Sequence, residues 1–176
     1  MGLLLFPESR DGLNGLIKCL DQAGRYGEAL NLLEELLESN PENPRYLQAR
    51  ASALGSLGKE KEAAVTLDLL RRMGELKTSE LIVLGDLYHN LNLYDLSLDA
   101  YQEALASSNK LSLSQYIRVA QTLIQRSSYQ EGFSYLEKIE NEFGDGRSKE
   151  EQKKINLLKA EVLQATGKNK EATDLL

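Results

Sequence analysis

Within its 176 residues the sequence holds one cysteine, one histidine, three prolines and no tryptophan. Each scarcity removes a class of protein. Cys19 alone cannot staple the chain to itself, so no disulfide framework supports the fold and redox argument leaves the compartment open. His89 alone removes every two-histidine metal arrangement. So little proline excludes collagen and proline-rich linkers, and an apolar fraction of 41% is too high for a disordered tail. Positive charge is also short: 21 Lys and Arg stand against 27 Asp and Glu, a formal net charge of -6. That is the wrong sign for a polyphosphate-neutralising surface, so nucleic acid is not expected as a main partner. Long apolar runs are missing as well. Leu3 to Phe6 is cut off by Pro7 and Glu8, too short for a signal peptide or a membrane span. The expectation is a folded protein with no membrane span, located in the cytoplasm, an assignment that a targeting segment lost from a fragment would change.

What the chain does have is self-similarity. The pieces that start at Gly24, Gly58, Asn92, Ser127 and Gly167 can be laid over one another, and within them Ala29, Ala63, Ser97, Gly132 and Ala172 follow at intervals of 34, 34, 35 and 40 residues. Each piece opens on a residue that tolerates a left-handed backbone, best for Gly, and apolar residues at helical spacing flank it on both sides. This is a helix, a tight turn and a helix. Seven residues before each opener stand Ile17, Ala51, Gly85, Ala120 and Ala160, mostly small, as the residues five places after it are. Small side chains at both places let two helix axes approach closely, and Leu13, Leu47, Leu81, Tyr116, Leu33, Leu67, Tyr101 and Leu136 are the bulk that fills the space above and below. Pro41 and Pro44 mark a helix stop and restart, and Gly144 to Ser148 is the longer loop behind the interval of 40.

With those residues in place, the chain resembles a tandem of tetratricopeptide repeats from about Asp11 onward. The resemblance implies an all-α fold: a right-handed α-α superhelix, or solenoid, of about five helix-turn-helix repeats, the last one incomplete. The repeats are expected at about 11–44, 45–78, 79–112, 113–148 and 149–176, behind an N-terminal segment or flap at 1–10. There are departures. Ile17 replaces a small residue, Glu60 stands for the turn tyrosine, Arg50 occupies a large-residue position, and Asn156 and Lys159 replace core residues. Because the sequence stops at Leu176, about half-way through an expected second helix, the reading is of a piece cut from a longer protein or of a chain that borrows its last cover from a neighbour.

Residues able to do chemistry are few. His89, near the end of a first helix, reads as a surface or groove contact. Cys19, beside Leu20, reads as a packed, inert thiol. Glu34, Glu35 and Glu38 read as a solvated helix face. Gly58-Lys59 and Gly167-Lys168 lack the earlier glycine of a phosphate loop and read as helix-ending turns. Tyr26, Tyr88, Tyr94, Tyr101 and Tyr129 fall at repeat-core positions. No enzyme, cofactor or metal site is expected.

The resemblance implies that first helices line a concave side where function sits. In the first two repeats that side carries Asp11, Asn14, Lys18, Gln22, Arg45, Gln48 and Ser52, polar and mixed in charge. Further on it carries Ile82, Asp86, His89, Asn90, Ile117, Arg118, Gln121, Ile124, Gln125 and Leu157, the candidate peptide-binding residues, with Glu161 beside them. Isoleucines not needed for repeat packing suggest a contact surface, the alternative being that they pack on an adjoining helix. The carboxylate clamp of chaperone-binding relatives is missing, since its places hold Asn14, Lys18, Ala49, Ser79 and Val83. The expected function is a protein-protein interaction scaffold that holds a peptide or helical segment of another protein in its groove. The alternatives are a structural or oligomerisation module, with self-association, and an accessory repeat domain of a larger enzyme or of a secretion or assembly protein. A pentatricopeptide RNA reader is disfavoured by the acidic balance.

Overall fold

Left-handed turns set the architecture, five of them inside helix pairs and a sixth, at Gly74, between two pairs. In the computed structural model, which describes residues 10–108 and 111–175, Gly24, Gly58 and Gly167 have φ of 69°, 69° and 83°, and the non-glycine residues Asn92 and Ser127 have 60° and 64°. At each turn inside a pair the amide just past this residue donates back to a carbonyl five residues earlier, from Arg25 to Leu20, Lys59 to Leu54, Leu93 to Tyr88, Ser128 to Leu123 and Lys168 to Leu163. That bond satisfies a carbonyl otherwise orphaned at a helix end, and it reverses the chain so that the next helix packs back on the last.

The helices are α1 (Arg10–Gln22), α2 (Tyr26–Ser39), α3 (Pro44–Ser56), α4 (Glu60–Arg72), α5 (Thr78–Asn90), α6 (Tyr94–Ser108), α7 (Leu113–Gln125), α8 (Tyr129–Phe143), α9 (Lys149–Ala165) and α10 (Asn169–Asp174). No strand occurs among the described residues, so the chain is all-α and made of helical repeats. Starts are as local as stops. Asn43 caps α3 by accepting from the amides of Arg45 and Tyr46, with Pro44 in the first turn where its missing N–H costs nothing. Ser112 with Gln115 and Ser148 with Glu151 form capping boxes on α7 and α9.

The chain divides into two compact units, Met1–Lys77 and Thr78–Leu176. In unit one, α2 packs against α1 and α3, and α3 against α4. In unit two each helix packs on the next from α5 to α10, and α7 also touches the first helices on either side, α5 and α9.

The small residues at the pair contacts are buried, and Gly85 shows why. A Cβ there would lie 2.6 Å from the Tyr101 ring. Ser97, fully buried on the partner helix, donates to the Gly85 carbonyl at 2.8 Å, so its hydroxyl carries no unpaid desolvation. Gly132 lets Ile124 approach in the same way, a Cβ at that place meeting Ile124 at 2.8 Å. Tyr101, Ile117, Leu136, Ile139 and Ile155 are the fully buried bulk of unit two, each stabilising by about 2 kcal/mol relative to exposure. Lys159, the cation at a core position, is only 9% exposed. Its Nζ meets Glu140 at 2.5 Å and lies 5.5 Å from the Phe133 ring, which pairs the charge while its stem fills the core. The apolar Leu3 to Phe6 segment lies outside the described residues.

Candidate functional site

In unit two the polar members of the expected face come together across α5 and α7. Asp86 pairs with Arg118 at 3.3 Å and also accepts from the Tyr101 hydroxyl at 2.6 Å. His89 Nδ1 lies 2.8 Å from the Thr122 hydroxyl, which itself donates to the Arg118 carbonyl, and the imidazole meets the Tyr94 ring edge-on. Burial holds the His89 pKa below the usual imidazole range, Arg118 adds to that, and Asp86 pulls the other way. Gln121 is half-buried, with its Oε1 enclosed and without a hydrogen-bond partner. Asn90 and Gln125 are exposed.

The isoleucines do something else. Ile117 and Ile124 are each 2% exposed and belong to the core of unit two, against which Ile82 also packs. Expected as contact residues, they are instead internal: Ile124 packs against Gly132 of the second helix of its pair, and Ile117 lies in the same buried cluster. Leu157 is 48% exposed. It lines a cleft of about 300 Å³ with Lys149, Lys153 and Leu175, which none of the other candidate residues lines.

Unit one has a more open first-helix side. A cleft of about 380 Å³ lies between α1 and α3, floored by Ile17, Leu33 and Ala53 and rimmed by Asn14, Lys18, Asp21, Arg45 and Ser52. A second cleft of about 880 Å³ shares Asn14, Arg45 and Tyr46 with it and extends past Gln48 to Glu42 and Glu75. The shared residues make the two clefts one trough. Its rim repeats the polar groove positions read from the sequence, Asn14, Lys18, Arg45, Gln48 and Ser52, which were not among the candidate binding residues. The signal was present: they are polar, with no apolar side chain that could collapse inward.

Cys19 corrects a further expectation, since its thiol is exposed rather than packed. Among the described residues no group of three or more His, Cys, Asp or Glu side chains is placed to hold a metal ion. No helix there is long and apolar enough to cross a membrane.

Two family models, each described as tetratricopeptide repeat, match residues 3–53 and 81–110. Tetratricopeptide repeats are therefore present in both units of the chain. No curated protein matches this repeat protein. Among solved structures it is similar to MamA, residue 41 to the end, from Desulfovibrio magneticus RS-1, with 16% identity, 94% of this chain and 89% of that one covered, and a TM-score of 0.72. It is also similar to YrrB, described as a TPR protein with an unusual peptide-binding site, with 13% identity, coverage of 93% and 80%, and a TM-score of 0.76. A third similar structure is a tetratricopeptide repeat protein from Parabacteroides merdae, with 21% identity, coverage of 93% and 61%, and a TM-score of 0.64. At such identities the likeness speaks for the fold.

Proposed function

We propose that this repeat protein is a non-catalytic interaction scaffold whose first-helix faces hold an extended peptide or a helical segment of another protein. One observation carries the reading: the trough of unit one, an apolar floor with a polar rim, opened between two first helices. Such a floor accepts side chains of a ligand, and the rim offers hydrogen bonds to its backbone and charges to its ends. The peptide-binding description of YrrB, which shares the fold, agrees with this use. The polar face of unit two, with Asp86, His89, Asn90, Arg118, Gln121 and Gln125, enters the same proposal as a second place for contact. Ile117 and Ile124 do not, because a ligand cannot reach them without opening the core.

The test is selection of peptides from a random displayed library on the full chain, followed by amide exchange with and without the selected peptide. Protection on α1 and α3, or on α5 and α7, is the expected result. No selectable peptide, or protection confined to α2, α4 and α8, overturns the scaffold reading.

A further inference from the structure

The rim of the α1/α3 cleft has a charge balance unlike that of the whole chain. Two cations, Lys18 and Arg45, face it with one carboxylate, Asp21, in a protein of formal charge -6. Both cations are exposed, and neither side chain has an ion pair or hydrogen bond among the described residues. Four other arginines are ion-paired: Arg25 with Glu28, Arg72 with Asp68, Arg118 with Asp86, and Arg126 with Asp95 and Glu131. Two cations with no ion pair among the described residues thus share one cleft. Between them the floor is apolar, made by Ile17, Leu33 and Ala53 at the base of a slot that suits an aliphatic side chain. The far end of the trough is mixed in charge, with Glu42 and Glu75 on the wall beside Lys77.

Resting on the scaffold reading above, we propose that this trough takes an extended acidic-aliphatic segment of a partner protein. An internal aspartate or glutamate side chain of that segment lies over Lys18 and Arg45, and a neighbouring leucine or isoleucine enters the slot. Asn14 and Ser52, on either side, supply hydrogen bonds to the ligand backbone. The carboxylate is that of a side chain within the segment, and a chain terminus is the alternative that the capped probe tests.

The probe is a short fluorescein-labelled peptide of alternating leucine and glutamate, acetylated and amidated, read by fluorescence anisotropy on the full chain. The wild type is expected to bind it, and the double variant Lys18→Glu, Arg45→Glu to bind about tenfold more weakly, two rim charge pairs being lost and reversed. Both side chains are exposed, so the melting temperature of that variant should stay with the wild type. A control of equal charge change away from the trough, Lys61→Glu with Lys170→Glu, should bind as the wild type does. Added salt should weaken binding, and the same peptide with glutamine in place of glutamate should bind several-fold more weakly. Equal affinity for the glutamine peptide, undiminished binding by the trough variant, binding only of a peptide with a free C-terminal carboxylate, or no binding at all overturns the proposal. So does a dimer, seen by light scattering, that the trough variant abolishes, which would give the trough to a second copy of the chain. If the capped peptide fails while library peptides still protect α1 and α3, the acidic-aliphatic chemistry falls and the scaffold stands.

Discussion

Corresponding positions on the two first-helix faces lead opposite lives. Aligned on the close-contact residues Ala51 and Ala120, the unit-one counterparts of Ile117, Arg118, Gln121 and Ile124 are Gln48, Ala49, Ser52 and Gly55. Aligned on Ile17 and Gly85, the counterparts of Ile82 and Asp86 are Asn14 and Lys18. In unit two the larger side chains fill the space: Ile117 and Ile124 join the core, Arg118 reaches Asp86, and α7 touches α5. In unit one small and polar residues leave the space between α1 and α3 open, and Lys18, with alanine where Arg118 would be, makes no ion pair among the described residues. A place on a repeat thus does not decide whether a residue meets a ligand. The volume and charge of the residue facing it do.

The strongest way to break this comparison is to charge the interior of unit two. Ile117→Asp should destabilise the chain by about 4 kcal/mol or more, since it leaves a cavity and buries an unpaired carboxylate, and chemical denaturation measures it. Had Ile117 been a free contact residue, the melting curve would not move. A smaller loss, about 2 kcal/mol, is expected of Gly85→Ala, where the new methyl runs into the Tyr101 ring and the better helix propensity of alanine returns only part of the cost. Thermal melts of both variants rank them.

The closed face of unit two also predicts a pH response. The folded His89 pKa lies below the ordinary value of 6.5, so as pH drops through that value the unfolded chain takes up the proton first. The His89 contribution is complete above about pH 6.5 and declines as pH falls toward the folded pKa. His89→Gln should flatten that part of the stability profile in denaturant titrations, and an unchanged slope would remove His89 from its account. The smallest effect on stability, within about 0.5 kcal/mol, is expected of Ala49→Glu, which gives Lys18 a neighbouring carboxylate across the cleft. Its effect on ligand should be large. It closes unit one as Arg118 and Asp86 close unit two, and binding of the leucine-glutamate peptide should weaken several-fold while the melt hardly moves.

Much of this was legible one residue at a time. A left-handed turn is a local demand, so Gly24, Gly58 and Gly167 announce it, and Asn92 and Ser127 follow from the interval. The small residues at pair contacts were legible because close approach of two helices leaves no room for a Cβ, as at Gly85. The exposure of Cys19 could have been found too. Consecutive residues of a helix point about 100° apart, so the neighbour of a buried Leu20 faces away from the core. Ile117 and Ile124 gave a mixed signal. They sit at groove positions by family resemblance, yet they also stand three before and four after Ala120, on the side that presses on the next helix.

By itself the sequence determined where helices stop, which residues let them pair and how often the pattern returns, because each of these rests on steric rules that act within a few residues. Only the tertiary structure decided which polar positions stay open. Whether Lys18 is free and Asp86 is taken depends on what another helix, more than thirty residues away along the chain, places opposite each of them. An isoleucine at the same register is drawn inward or left in water by that helix too, since burial is a property of the packed surroundings and not of the side chain alone.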